Sequence, residues 1–177
     1  MRLPYIKTII ILLSIISQFS IICDAREFNT LLGKTVILPD SQKQIITTSK
    51  YTFIHIVRGQ ECTKCSVGAL YQWHNIISLI NRDDISYFFI IETRPEDTTE
   101  IIQSALERRP FNYPLFIDHS HYFLEKNRWL KKKKYSEIND FILDSSGKVL
   151  QIGNPLDDFL FLFYMKNSDF ITNTGPL

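Results

Sequence analysis

Tyr51-Thr52-Phe53-Ile54-His55-Ile56-Val57 is a dense run of aromatic and β-branched residues, the pattern of a strand buried on both of its faces. A second such run occupies Ile85 to Ile91. Between them, Val67, Leu70, Tyr71, Ile77 and Ile80, with Trp73 and Ile76 nearby, recur at roughly helical spacing, which predicts a helix from about Lys64 to Asn81. Two doubly buried strands flanking an amphipathic helix require an α/β arrangement, a central sheet with helices on both faces.

The remaining segments extend this pattern. Leu31 to Asp40 reads as a short strand ending in a turn, and Gln44 to Thr47 as a second strand, giving an N-terminal β-hairpin. Pro95 to Arg108 reads as a helix stopped by Pro110. Leu115 to Ile117 is a short strand and Tyr122 to Asn127 a helical turn. Asn139–Leu143 and Lys148–Ile152 form a hairpin around Asp144-Ser145-Ser146-Gly147. Asn154 is placed as the N-cap, and Pro155 as the first residue, of a last helix through about Lys166.

The chemistry concentrates at Cys62-Thr63-Lys64-Cys65, between the first buried run and the helix. Two thiols separated by two residues at a helix start suit reversible disulfide exchange. Unpaired N–H groups there favour thiolate over thiol. Cys62, the outer sulfur, is assigned as the attacking thiol and Cys65, inside the first turn, as the resolving thiol. Lys64 and Arg58 would lower the Cys62 pKa further, and Glu61 would oppose them. Ser66 stands where covalent haem attachment would need histidine.

A net charge of +1 gives no general pull toward nucleic acid, and none is expected as a partner. The one strong charge run is Lys131–Lys134. Residues 1–25 read as an export segment: Arg2 and Lys7 supply a basic start, Thr8 to Cys23 an apolar stretch, and Cys23-Asp24-Ala25 a small-residue end. The readings are a cleaved signal peptide or an N-terminal membrane or lipid anchor with Cys23 as the lipidation candidate. Bulky Ile22 before Cys23 disfavours lipidation. Export to the periplasm or cell envelope is the expectation, with residues 26–177 as one domain whose core spans about 31–166. Such a compartment allows a CxxC pair to cycle.

Three segments together carry a family resemblance: Gly33-Lys34…Leu38-Pro39-Asp40, Tyr51–Val57 running into Cys62-Thr63-Lys64-Cys65, and Phe141-Ile142-Leu143-Asp144-Ser145-Ser146-Gly147-Lys148-Val149. On these the chain, from about Leu31 to Tyr164, resembles the thioredoxin superfamily, in particular its exported TlpA-like and redoxin branch. The resemblance implies a thioredoxin-like fold with a central mixed β-sheet, helices on both faces and an N-terminal β-hairpin. It also implies a thiol–disulfide oxidoreductase acting on protein thiols and disulfides, supplied with electrons by an upstream redox partner and needing no organic cofactor. Glu61 replaces the family's tryptophan before the first cysteine, and Thr63-Lys64 replace the usual Gly-Pro pair. The cis-proline position falls on Ile138 and the buried proton-accepting acid on Ile56. These departures bear on substrate docking and proton handling.

Other readings stand beside this one. The cysteines suit a structural disulfide clamping the helix start of an envelope binding module, or a metal-binding pair. No metal is assigned, since zinc would need two further ligands and only His119 and His121 are nominally at hand. His55 is either a proton acceptor or a core histidine satisfied by a hydrogen bond. Trp73, Phe111 and Tyr113 read as packing residues.

Overall fold

Being apolar on both faces, Tyr51–Val57 (β1) belongs in the middle of a sheet, and it lies there. The computed structural model describes residues 30–59, 63–132, 135–156 and 158–170. Ile85–Glu92 (β2) and Leu115–Asp118 (β3) continue the sheet on one side of β1, and Asp140–Asp144 (β4) and Val149–Ile152 (β5) on the other, in the order β3-β2-β1-β4-β5. The first three strands are mutually parallel, whereas β4 is antiparallel to both β1 and β5. Parallel neighbours need crossovers. Thr63–Ala69 (α2) and Gln72–Ile80 (α3) supply the first, and Thr99–Arg108 (α4) the second. Gln44–Thr48 (α1) precedes the sheet, Tyr122–Lys126 (α5) follows β3, and Phe159–Asn167 (α6) follows β5. The chain divides into two units, Met1–Leu32 and Gly33–Leu177. Only a turn at 30–32 is described in the first unit, and all that follows concerns the second.

Strand alternation sorts the core into two layers. Phe53, Val57, Tyr87, Phe89, Ile91 and Ile142 face one way and pack with Trp73, Ile77 and Ile80 of α3, Ile102 of α4, and Phe161 and Met165 of α6. Ile54, Ile56, Phe88, Ile90 and Phe141 are buried on the other side, where Trp129 stands 6.4 Å from the Phe141 ring. The Tyr87 hydroxyl is buried without a hydrogen-bond partner among the described residues, and burial pushes its pKa up.

Four expectations are corrected. The N-terminal hairpin does not form, because Gln44–Thr48 is helical. Its β-branched residues are accommodated by packing: the Thr47 and Thr48 hydroxyls donate to the carbonyls of Gln44 and Ile45, and Ile46 is buried beside Gly147. The Gly33–Val36 segment instead bonds along β5, through Gly33 N–H to the Val149 carbonyl and a bridge from Thr35 to Lys148. The long helix after the cysteines breaks at Leu70-Tyr71, where the bonds tighten to three-residue spacing (Leu70 to Val67, Trp73 to Leu70). Arg109 takes the Gly68 carbonyl at 3.1 Å while its guanidinium lies 4.6 Å over the Tyr71 ring.

The helix expected from Pro95 starts at Thr99, capped by the Thr98 side chain. The last helix starts at Phe159, because Asp158, not Asn154, caps it by accepting from the Leu160 and Phe161 N–H groups. Asn154 accepts from Leu156 N–H in a local turn. Gly153 lets this helix seat closely, since a Cβ there would lie 2.6 Å from the Phe161 ring. The turn at Asp144–Gly147 is as expected. The Asp144 carboxylate accepts from Ser146 N–H and Lys148 N–H, and Gly147 takes φ 79°. No helix among the described residues is long and apolar enough to cross a membrane.

One fastening has no sequence signature. Asn127, fully buried, accepts from Ile37 N–H and donates to the carbonyls of Ile37 and Phe123, each at 2.8 Å. It ties the chain before α1 to the end of α5. Asn127→Ala strands these backbone groups and is expected to destabilise the domain by about 2–4 kcal/mol, on the order of one to three per buried unsatisfied group after partial relaxation. Urea denaturation checks this, and a loss under about 1 kcal/mol would show that Ile37 repairs its bonds elsewhere.

Candidate functional site

The site sits at the carboxyl end of β1, where the strand delivers the chain to α2. Cys65 is the third residue of α2 and is half of a disulfide. It is exposed, not sheltered as its place in the first turn suggested, because Val67 and Leu70 turn to the core and leave Lys64 and Cys65 on the outer side. Lys64 is exposed beside it. Cys62, Glu61 and Cys23 lie outside the described residues.

Arg58 was expected to act on Cys62, which lies outside the described residues; what is described are its other partners. Its guanidinium is half-buried and turned toward the segment before β4, donating to the Ile138 carbonyl at 2.8 Å and the Asn139 side-chain oxygen at 3.0 Å. Burial pulls its pKa below the ordinary arginine value, and the Glu92 carboxylate offsets this in part. Glu92 also accepts from Gly59 N–H at 3.3 Å, fixing the turn that leaves β1. Ile138, the residue that the sequence resemblance put at the cis-proline position, is buried, and among the described residues every peptide bond is trans. Its carbonyl is therefore occupied from within the chain. Ile56, where the sequence resemblance expected an acid, is buried in β1.

A cavity of about 290 Å³ opens here, lined by His55 and Arg58 of the β1 end, Ser66 of α2, Trp73 of α3, and Asn139 and Asn154 from the far side. Ser66, the residue following Cys65, and Asn139, just before β4, both line this cavity. His55 Nδ1 is 2.6 Å from Asp140 Oδ1. The two residues are directly opposite in the β1–β4 register, so their side chains leave the sheet together. The imidazole packs tilted against Trp73 at 4.8 Å and edge-on to Phe89 at 5.7 Å.

Sequence reasoning found His55 and missed Asp140, whose role appears only once the strands are paired. Trp73 is packed in the core, 2% exposed. Phe111 and Tyr113 form a ring cluster with His74 and Phe89. His119 and His121 are engaged separately. His119 lies 3.2 Å from Thr93 Oγ1, while His121 Nδ1 donates to Glu92 at 2.9 Å. No three His, Cys, Asp or Glu side chains are grouped to hold a metal ion among the described residues.

No family model matches the sequence, and no curated protein matches it. Solved structures do. StoA from Bacillus subtilis is 13% identical, with 59% of this chain and 73% of that one covered at a TM-score of 0.45. A thiol:disulfide interchange protein of the thioredoxin family from Chlorobium tepidum is 12% identical over 71% and 83% of the two chains, with a TM-score of 0.48. A thioredoxin-like protein from Parabacteroides distasonis is 15% identical over 65% and 81%, at 0.44. The strand order and directions carry the assignment: a mixed five-stranded sheet in which β4 alone runs against the other four strands, with a cysteine at the first turn of the helix after the central strand. By that architecture the chain has the thioredoxin-like fold.

Proposed function

We propose that this protein is an exported thiol–disulfide oxidoreductase whose working group is a Cys62–Cys65 disulfide acting on protein disulfides. The observation that carries the reading is the disulfide at Cys65, exposed, at the start of α2 and next to a polar cavity. A sulfur on the surface can be reached by another protein's sulfur, which exchange requires. Cys62 is the attacking thiol and Cys65 the resolving one, Lys64 adds positive charge, and an upstream redox protein supplies electrons without an organic cofactor. The apolar outer side of α6 supports a protein substrate: Phe159, Leu160 and Phe163 are exposed, and Leu156 just before them lines the cavity. Export rests on residues 1–25 and on the use of a disulfide.

One observation favours a second reading. The Ile138 carbonyl, on the edge where a thioredoxin-like protein would meet a substrate strand, is held by Arg58. That suits a cell-envelope binding module whose disulfide only clamps α2. Turnover separates the two. The wild-type protein, with dithiothreitol as electron source, should reduce insulin disulfides well above the dithiothreitol background. A rate equal to background would leave the binding module.

A further inference from the structure

We propose that the His55–Asp140 pair is the proton-transfer group of this disulfide site, with His55 exchanging protons with the thiols and Asp140 positioning its ring; the proposal rests on the oxidoreductase reading above. The family's acid position is filled by buried Ile56, which cannot take a proton. The adjacent residue of the same strand carries an imidazole into the cavity beside the cysteine helix. Asp140 is itself almost fully buried and receives the Nδ1–H at 2.6 Å, which fixes the tautomer and leaves Nε2 as the basic nitrogen. Nε2 makes no hydrogen bond to a described residue. Trp73 and Phe89, themselves in contact, pack against the ring.

Among the described residues, the charged groups around His55 are few. Just past β1 stands Arg58, turned to Ile138 and Asn139. From β4 comes Asp140, and from β2 comes Glu92, whose charge falls on Arg58. The parts of α2, α3 and the segment before α6 that line the cavity bring neutral Ser66, Gln72, Trp73, Asn154 and Leu156. Among the described residues Asp140 is thus the one charge recorded in contact with the imidazole.

The step balances. In the reduced protein a cysteine thiol gives its proton to His55 as its sulfur attacks a substrate disulfide. One S–S bond forms, the substrate's S–S bond breaks, and the leaving thiolate takes the proton from the imidazolium. The second cysteine repeats this on the mixed disulfide, so the protein dithiol is oxidised, the substrate disulfide is reduced and two protons end on the two released thiols.

Two measurements test the proposal. Alkylation rates of the reduced protein by iodoacetamide, followed by mass spectrometry between about pH 5 and 9, should give a pH profile in the wild type that changes in both His55→Gln and Asp140→Asn. Insulin reduction should fall about 100-fold in His55→Gln, and added imidazole should restore part of it to His55→Ala, which a purely structural role would not allow. If His55→Gln fails to fold by circular dichroism, Asp140→Asn carries the same comparison. Superimposable pH profiles with unchanged insulin reduction would overturn the proposal and leave the oxidoreductase reading intact. A His55-dependent profile in a wild type that reduces no insulin would uphold the proton link and retire that reading.

Discussion

Cys62→Ser and Cys65→Ser will each bring insulin reduction down to the dithiothreitol background. Disulfide exchange needs one thiolate to attack and a second to release the mixed disulfide that results. With Cys62 replaced, Cys65 remains an exposed thiol at the surface. It can enter a mixed disulfide but has no neighbour to resolve it. With Cys65 replaced, Cys62 attacks and stays captured, so that variant should accumulate a covalent adduct detectable on a non-reducing gel. The folded domain should survive both changes, because its core lies in the sheet and not in the bond. Turnover by either single-thiol variant at more than half the wild-type rate would exclude the two-thiol mechanism.

Phe89→Ala is expected to cost about 3–5 kcal/mol, the usual range for emptying a buried aromatic site. Phe89 is fully buried in the middle of β2, with Phe111 at 4.6 Å, Trp73 at 5.4 Å, His55 at 5.7 Å and Tyr113 at 6.3 Å. Rings held from several sides cannot all collapse into the void. Since a domain of this kind has on the order of 5–15 kcal/mol in total, the variant should unfold at much lower urea with an unchanged slope. Phe89→Leu, which keeps most of the volume, should lose under about 1.5 kcal/mol. A Phe89→Ala loss below about 1 kcal/mol would mean that the ring cluster does not support the sheet as described.

The sheet was largely legible because its strands are either continuous apolar runs or a hairpin with a strong turn. β1 and β2 declare themselves by density of aromatic and β-branched residues, and β4–β5 by Asp144-Ser145-Ser146-Gly147. Gln44–Thr48 was misread because isoleucine and threonine carry strand propensity, and only the burial of Ile46 shows why a helical turn is preferred. The break at Leu70 was invisible because Arg109, 41 residues from Gly68, is what receives the freed carbonyl.

At the site, position told less than pairing. Arg58 follows the strand that leads to the cysteines, and its bonds to Ile138 and Asn139, 80 and 81 residues on, are contacts that its position alone does not show. His55 gave a titratable group but no partner, since Asp140 becomes its neighbour only through the β1–β4 register. Local spacing reports helix and strand faces; contacts across the sheet depend on topology that spacing does not encode.

The claim that the Cys65 disulfide works, and does not merely clamp α2, is tested most directly by its reduction potential. Equilibration of the purified protein with glutathione and dithiothreitol redox buffers, read by alkylation and mass spectrometry, gives that potential. The oxidoreductase reading predicts a midpoint above about −300 mV, and a value below it, the range of structural disulfides, would contradict the reading.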